Sequence, residues 1–211
     1  MATRVAEQFD DAQQQRESAT VGMWIFLATE IMFFGGMFLG YAVYRSSYSA
    51  AFGEASRRLD IVLGAINTAV LLTSSLTMAM AVHAAHGGKR RRLVGFLVAT
   101  IVLGLGFLGI KFYEYFQKFA EHLVPGRGFV FEGADGKHAQ LFFSFYFAMT
   151  GMHALHMIIG IVMMGVLIAF ALRGRFSPAY YNPVEMSGLY WHFVDIVWVF
   201  LFPLLYLVER S

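Results

Sequence analysis

The stretch LVGFLVATIVLGLGFLGI, Leu93–Ile110, decides the fold. It carries no charge, and Thr100 is its only hydroxyl. A strand of a membrane barrel would alternate apolar and polar side chains over about ten residues. This run does not alternate. In lipid, a lone apolar segment satisfies its own backbone N–H and C=O groups only as a helix. About 20 apolar residues cross a hydrocarbon core of roughly 30 Å, so Leu93–Phe112 reads as a transmembrane helix.

Working outward, four more stretches meet the same standard. The spans run Val21–Tyr44, Ile61–Val82, Leu93–Phe112, Leu141–Phe170 and Leu189–Val208. The predicted fold is all-α: a polytopic membrane protein, a bundle of five transmembrane helices. A polar N-terminal tail (1–20) precedes the transmembrane domain (21–208), and residues 209–211 form a C-terminal tail. The first tail holds Gln13, Gln14, Gln15, Arg16 and Glu17. No short apolar core with a small-residue cleavage site follows it, so the first span reads as retained and not as a signal peptide. The fourth span is longer than a bilayer requires, so it tilts or extends beyond the core. Pro203 lies inside the fifth span, where membrane helices tolerate it if neighbours satisfy the freed carbonyl. The longest polar insert, Tyr113 to Gln140, carries PGRG and GADGK turn signals and is expected to form a surface loop.

Composition agrees. Of 211 residues, 58% are apolar and 14% charged, with a mean hydropathy of +0.58. Soluble domains carry about 45–50% apolar residues and about 25% charge. A net charge of +2 does not suggest nucleic acid as a partner. Without cysteine, disulfides, thiolate zinc sites, iron–sulfur clusters and a cysteine-bridged copper pair are excluded.

Lys and Arg set orientation. One side carries Arg4, Arg16, Lys89, Arg90, Arg91, Arg92, Arg173 and Arg175. The other carries Arg45, Arg57, Arg58, Lys111, Lys118, Arg127, Lys137 and Arg210, the same number. Lys89–Arg92 is the densest cluster, in the shortest loop. It places the N-terminus inside and the C-terminus outside.

Polar residues inside the spans are costly and therefore informative. They are Glu30, Asn67, His153, His156, His192 and Asp195. Glu30 lies about 14 Å from the inner edge of its span. It reads either as a proton relay or as a neutral carboxyl hydrogen-bonded between helices. A lone carboxylate lacks the string of partners a relay needs, which favours the second. His153, at about 12 Å, is closest to it in depth and is the expected partner. His156 lies about 8 Å and His192 about 4–5 Å from the inner edge, so no two histidines match in depth as a haem pair would. No metal or haem is therefore expected on this chain. Asp195 shares a face with His192. It reads as an inner-side proton group or, more simply, as part of a polar cluster pinning the fifth span to the fourth. His83 and His86 read as solvated. Gly36 and Gly40 make a GxxxG step that permits close helix approach, and Gly104, Gly106 and Gly109 crowd the third span. Tyr190, Trp191 and Trp198 are expected at a lipid or subunit boundary.

Motifs carry the reading further. YWHFVDIVWVFLFPLLYL (Tyr190–Leu207) resembles the last helix of subunit III of the haem–copper respiratory oxidases. TGMHALHMIIG (Thr150–Gly160) is similar to that family's TGxHxLHxxxG. MWIFLATEIMFFGG (Met23–Gly36) resembles its glutamate-bearing helix, and Asn67–Ser75 its NTxxLLxSS. Gly106–Tyr115 resembles the end of the next helix, with Lys111 where the family leads one to expect glutamine. A lysine there is expected to pair with Glu114 at the outer surface. The motifs occur in family order in all five spans and resemble the short, five-helix bacterial form.

The resemblance implies an accessory, non-catalytic subunit of a cytochrome c or quinol oxidase that couples oxygen reduction to proton pumping in aerobic respiration. It implies direct contact with subunit I, membership with subunit II, and subunit IV as a further candidate partner. It implies haem and copper in the partner subunits, none on this chain, and bound phospholipid. It implies a bacterial cytoplasmic (inner) membrane and support of proton uptake. The first two spans, with Gly36 and Gly40, are expected to line the subunit I interface. Two alternatives stand beside it: a related accessory subunit of a nitric oxide reductase system, and a small proton-coupled transporter using Glu30 and Asp195. The transporter would show inverted repeats or broken helices, and neither is visible.

Overall fold

Six helices account for the structure, a computed structural model that describes residues 8–133, 135–178 and 180–207, the side chain of Ala12 excepted. Arg4, Arg210, Val208 and the tail 209–211, named above, lie outside the described residues. Helix α1 runs Ala12–Ser47, α2 Ser49–Ser56, α3 Ile61–His86, α4 Arg90–Ala120, α5 Gly136–Leu172 and α6 Asn182–Tyr206. Five of them, all but α2, are long and apolar enough to cross a membrane.

The helices start where side chains cap them. Asp11 accepts from the Gln14 N–H, Asp60 from Val62 and Leu63, and Asp135 from His138, each satisfying a donor that the first turn leaves orphaned. The helix at the N-terminus reaches back to Ala12, into the stretch read as a polar tail. Gln13 and Glu17 are hydrogen-bonded across one turn at 2.8 Å, and Asp11 supplies the cap. At 1.5 Å per residue, α1 and α5 are each about 55 Å long, so both extend beyond a hydrocarbon core. Likewise α4 continues eight residues past Phe112. The insert read as a loop from Tyr113 is therefore helical to Ala120, and the chain turns at His122, whose φ is 56°.

Packing builds a ring of α3, α4, α5 and α6, with α1 laid against α5 and α6 and α2 against α5. The most buried of the long helices is α6. Trp191 sits at the centre of the ring, fully buried, beside Gly104 of α4 and Gly160 of α5. A Cβ at Gly160 would lie 2.7 Å from the indole, so the two backbones close on the ring only because these residues have no side chain. Gly106, Gly109 and Gly36 face open space, and Gly40 meets Phe145 at ordinary contact distance. Of the small residues singled out, Gly104 alone mediates close packing inside the chain. Tyr41 ties α1 to α6 by donating to the Leu204 carbonyl at 2.8 Å. Its ring packs with Phe52 of α2 and Phe142 of α5 near the C-terminal end of α1.

Candidate functional site

Three polar assemblies cross the bundle. The first is a ladder between α3 and α6. Thr68 accepts from the Trp198 indole N–H at 3.1 Å, Ser74 from the Trp191 indole at 3.0 Å, and the Ser75 hydroxyl meets His192 Nδ1 at 2.7 Å. From Thr68 to Ser74 on α3 the partner on α6 retreats from Trp198 to Trp191, as antiparallel helices require. The ladder joins the Asn67–Ser75 motif to the Tyr190–Leu207 motif. It also corrects two expectations. Trp191 and Trp198 are wholly buried and Tyr190 nearly so, not at a lipid or subunit boundary, because α6 runs through the middle of the bundle and each indole N–H finds a hydroxyl there. Moreover, His192 pins α6 to α3, not to α5. Asp195, one turn on, faces Ser75 and is buried without a hydrogen bond of normal length.

The second assembly joins α1 to α5. Glu30 Oε2 lies 3.1 Å from Nε2 of His156. The other ring nitrogen, Nδ1, is 2.8 Å from the Met152 carbonyl. A carbonyl only accepts, so Nδ1 carries hydrogen. One shared proton then lies between the carboxyl and Nε2, in a neutral Glu–His pair or in an ion pair. Tyr190 donates to the His156 carbonyl at 3.0 Å, tying in α6. Both side chains keep some exposure, 18% for Glu30 and 10% for His156.

Glu30 therefore pairs with His156, not with His153. Depth along the helix axis favoured His153, but side chains lean toward the N-terminus of their own helix. The two helices are antiparallel, so the Glu30 and His156 side chains lean toward each other and close a gap of one turn. His153 points elsewhere. It is fully buried between the Phe107 and Trp198 rings, each 5.3 Å away, and neither ring nitrogen has a hydrogen-bond partner. Asn67 is likewise fully buried with an unpartnered amide.

The third assembly lies toward the C-terminal end of α4. Lys111 Nζ donates to Glu114 Oε2 at 2.9 Å, to the Tyr206 hydroxyl at 2.8 Å and to the Tyr146 hydroxyl at 3.2 Å. Tyr206 in turn donates to Glu114 Oε1 at 2.6 Å. The ammonium also lies within 5.5 Å of the ring centroids of Tyr115, Tyr146, Trp198 and Tyr206. The Lys111–Glu114 pair is present, but it is buried, at 2% and 0% side-chain exposure, and not at the outer surface. The spacing of three residues signalled the pair; only α5 and α6, folding over it, supply the two tyrosines.

Among the described residues, no three His, Cys, Asp or Glu side chains converge as a metal site would require. His83 and His86 are exposed, and His86 packs on the Tyr181 ring at 3.9 Å.

Similarity to known proteins extends over nearly the whole chain. The family model described as cytochrome c oxidase subunit III matches residues 6–209. Cytochrome bo(3) ubiquinol oxidase subunit 3 of Pseudomonas aeruginosa is 30% identical over 98% of this chain and 93% of its own length. Quinol oxidase subunit 3 of Bacillus subtilis is 33% identical over 89% and 86%. Cytochrome c oxidase subunit 3 of Thermostichus vulcanus is 30% identical over 95% and 92%.

Proposed function

The chain belongs to the cytochrome c oxidase subunit III family, and from that premise we propose that it stabilises the catalytic subunit of its oxidase, holds phospholipid against the complex and supports proton uptake. It is an accessory, multi-pass membrane subunit of a haem–copper oxidase. In this reading subunit I is its direct partner, subunits II and IV complete the complex, and haem and copper belong to the partners. The complex lies in the bacterial inner membrane with the N-terminus of this chain inside and its C-terminus outside. A reporter fused after Lys89 should read cytoplasmic; a reporter there that reads external refutes the orientation.

The observation that carries the reading is α1. It is the least buried of the five spans, and it holds the incompletely covered Glu30–His156 pair near mid-membrane. Gly36 presents a flat, open surface on the same helix. A helix with so little internal packing and a polar pair at its waist suits a face that a partner subunit covers. The pair first pins α1 to α5 and only second handles a proton. Leaving one member of a buried pair without its partner costs about 1–3 kcal/mol, whereas such hydrogen bonds in membranes average only about 0.6 kcal/mol.

The test is a pair of variants. Glu30→Gln keeps shape and hydrogen bonding and should assemble with near-normal turnover. Glu30→Leu should lower thermal stability and retention in the complex. If Glu30→Gln assembles normally but proton uptake or pumping collapses, the relay reading replaces the structural one.

A further inference from the structure

We infer that the end of the bundle bearing Lys89–Arg92 is a binding site for the phosphate headgroup of an anionic phospholipid, one of whose acyl chains lies along the outward face of α4. The inference deepens the lipid-holding part of the proposed function and rests on it.

Helix α4 opens against the usual charge preference. The N-terminal end of a helix is its positive pole and favours anions. Here Lys89 occupies the N-cap without a side-chain cap, Arg90, Arg91 and Arg92 fill the first turn, and no acidic residue stands among them. All four are exposed. The Arg90 guanidinium donates to the Leu172 carbonyl and lies beside Gly174. That contact brings the C-terminal end of α5, with exposed Arg173 and Arg175, to the same patch. Among the described residues, no ion pair joins any of these six cations to a carboxylate. Six like charges therefore gather in one patch, four of them at the positive pole of α4, with Arg173 and Arg175 beside them at the end of α5, and an anion among them relieves their mutual repulsion. Orientation alone needs positive charge in the loop; it does not need three arginines packed into one helical turn.

The surface below the patch says what kind of anion fits. Arg91, Gly95, Val98, Val102, Leu105 and Gly109 follow one another at spacings of three and four, so they share one face of α4. All are exposed. At Gly95 nothing lies within 4 Å of where a Cβ would stand, which leaves a shallow notch directly beneath the arginines. From Arg91 to Val102 is about 16 Å, roughly half of a 30 Å hydrocarbon core and so the depth of one leaflet. A cationic head joined to an apolar track of that length matches an anionic phospholipid. A soluble anion would use only the head, and an acidic protein would not need the track.

The experiment uses the oxidase complex containing the full-length chain, stripped of loosely bound lipid. It is titrated with phosphatidylglycerol or phosphatidylcholine of identical acyl chains, and bound lipids are counted by native mass spectrometry. The expected result is tighter retention of phosphatidylglycerol, falling as salt rises. Arg91→Gln/Arg92→Gln should weaken it on the order of 25-fold, at roughly fivefold per cation, without changing phosphatidylcholine retention. Arg91→Lys/Arg92→Lys, which keeps the charge, should retain most of the preference. Equal retention of phosphatidylglycerol by wild type and the glutamine variant overturns the inference. So does loss of another subunit from that variant with unchanged lipid, which would make the patch a protein contact. So does displacement of phosphatidylglycerol by millimolar inorganic phosphate, which would make the site one for a free anion. If the glutamine variant does not assemble, wild-type complex alone decides: no headgroup preference at low salt refutes the site. A complex that retains phospholipid without headgroup preference defeats only this inference, whereas one that retains none defeats the lipid-holding reading itself.

Discussion

Lys111→Met should be among the most damaging single substitutions in this chain. The side chain is 2% exposed and its carboxylate partner 0%. Removing the amine leaves Glu114 buried with the Tyr206 hydroxyl donating to it but without its countercharge. Breaking a buried ion pair by deleting one partner costs about 3–5 kcal/mol, because the other charge is left uncompensated. For a domain of this size each kcal/mol shifts the melting temperature by about 2–4 °C, so the loss should be about 6–20 °C. Charge, not hydrogen-bond count, sets that magnitude. Tyr206→Phe removes two hydrogen bonds, to Lys111 and Glu114, but no charge. At about 0.6 kcal/mol per bond it should cost far less. Glu114→Leu should behave like Lys111→Met. The double variant Lys111→Met/Glu114→Leu should be more stable than either single one, since apolar residues of similar volume replace a buried pair at little cost. Lys111→Gln should fall between wild type and Lys111→Met. The assay is thermal unfolding of the purified chain in mild detergent, followed by intrinsic fluorescence, with Trp198 lying 5.2 Å from the Lys111 amine as a local probe. Single variants within about 2 °C of wild type, or a double variant whose loss equals the sum of the two, would refute the reasoning.

Two further outcomes follow from the packing and the caps. Gly160→Val should destabilise the isolated chain by about 1–3 kcal/mol through overpacking against Trp191, while Gly36→Leu, which meets nothing within 4 Å, should leave its melting temperature unchanged and lower its retention in the complex; a Gly36 variant that co-purifies as wild type does would place the partner on another face. At the start of α5, hydrogen bonds from the His138 side chain and then its backbone N–H hold the Asp135 carboxyl below the usual carboxylate range. A depressed native value contributes stability that is complete above the unfolded value of about 3.9 and is lost as pH falls through the lower native one. Amide exchange at the first turn of α5 should therefore speed up only below about pH 4, and Asp135→Asn should abolish that step; an Asp135→Asn chain with the same pH profile would show that another group governs the turn.

The number and kind of the membrane helices were legible in the order of the residues alone. Lipid leaves a long apolar segment no alternative to satisfying its own backbone, and that constraint acts segment by segment. Leu93–Ile110 needed no partner to declare itself. The pairing of Lys111 with Glu114 was legible for the same reason: three residues on one helix fix the geometry locally. The ends were less legible, since Gln13–Glu17 and Tyr113–Ala120 are polar yet helical beyond the hydrocarbon, where hydropathy no longer reports helix. Which polar groups meet depends on how the helices pack. Tilt, rotation about the axis and side-chain lean combine across two helices, and a change of one turn exchanges His153 for His156 as the partner of Glu30. The same holds for Trp191 and Trp198. Their composition suits a membrane boundary, and they are buried because α6 is packed on by α1, α3 and α5 together. Local sequence cannot state that placement, because it depends on how all five spans share one core.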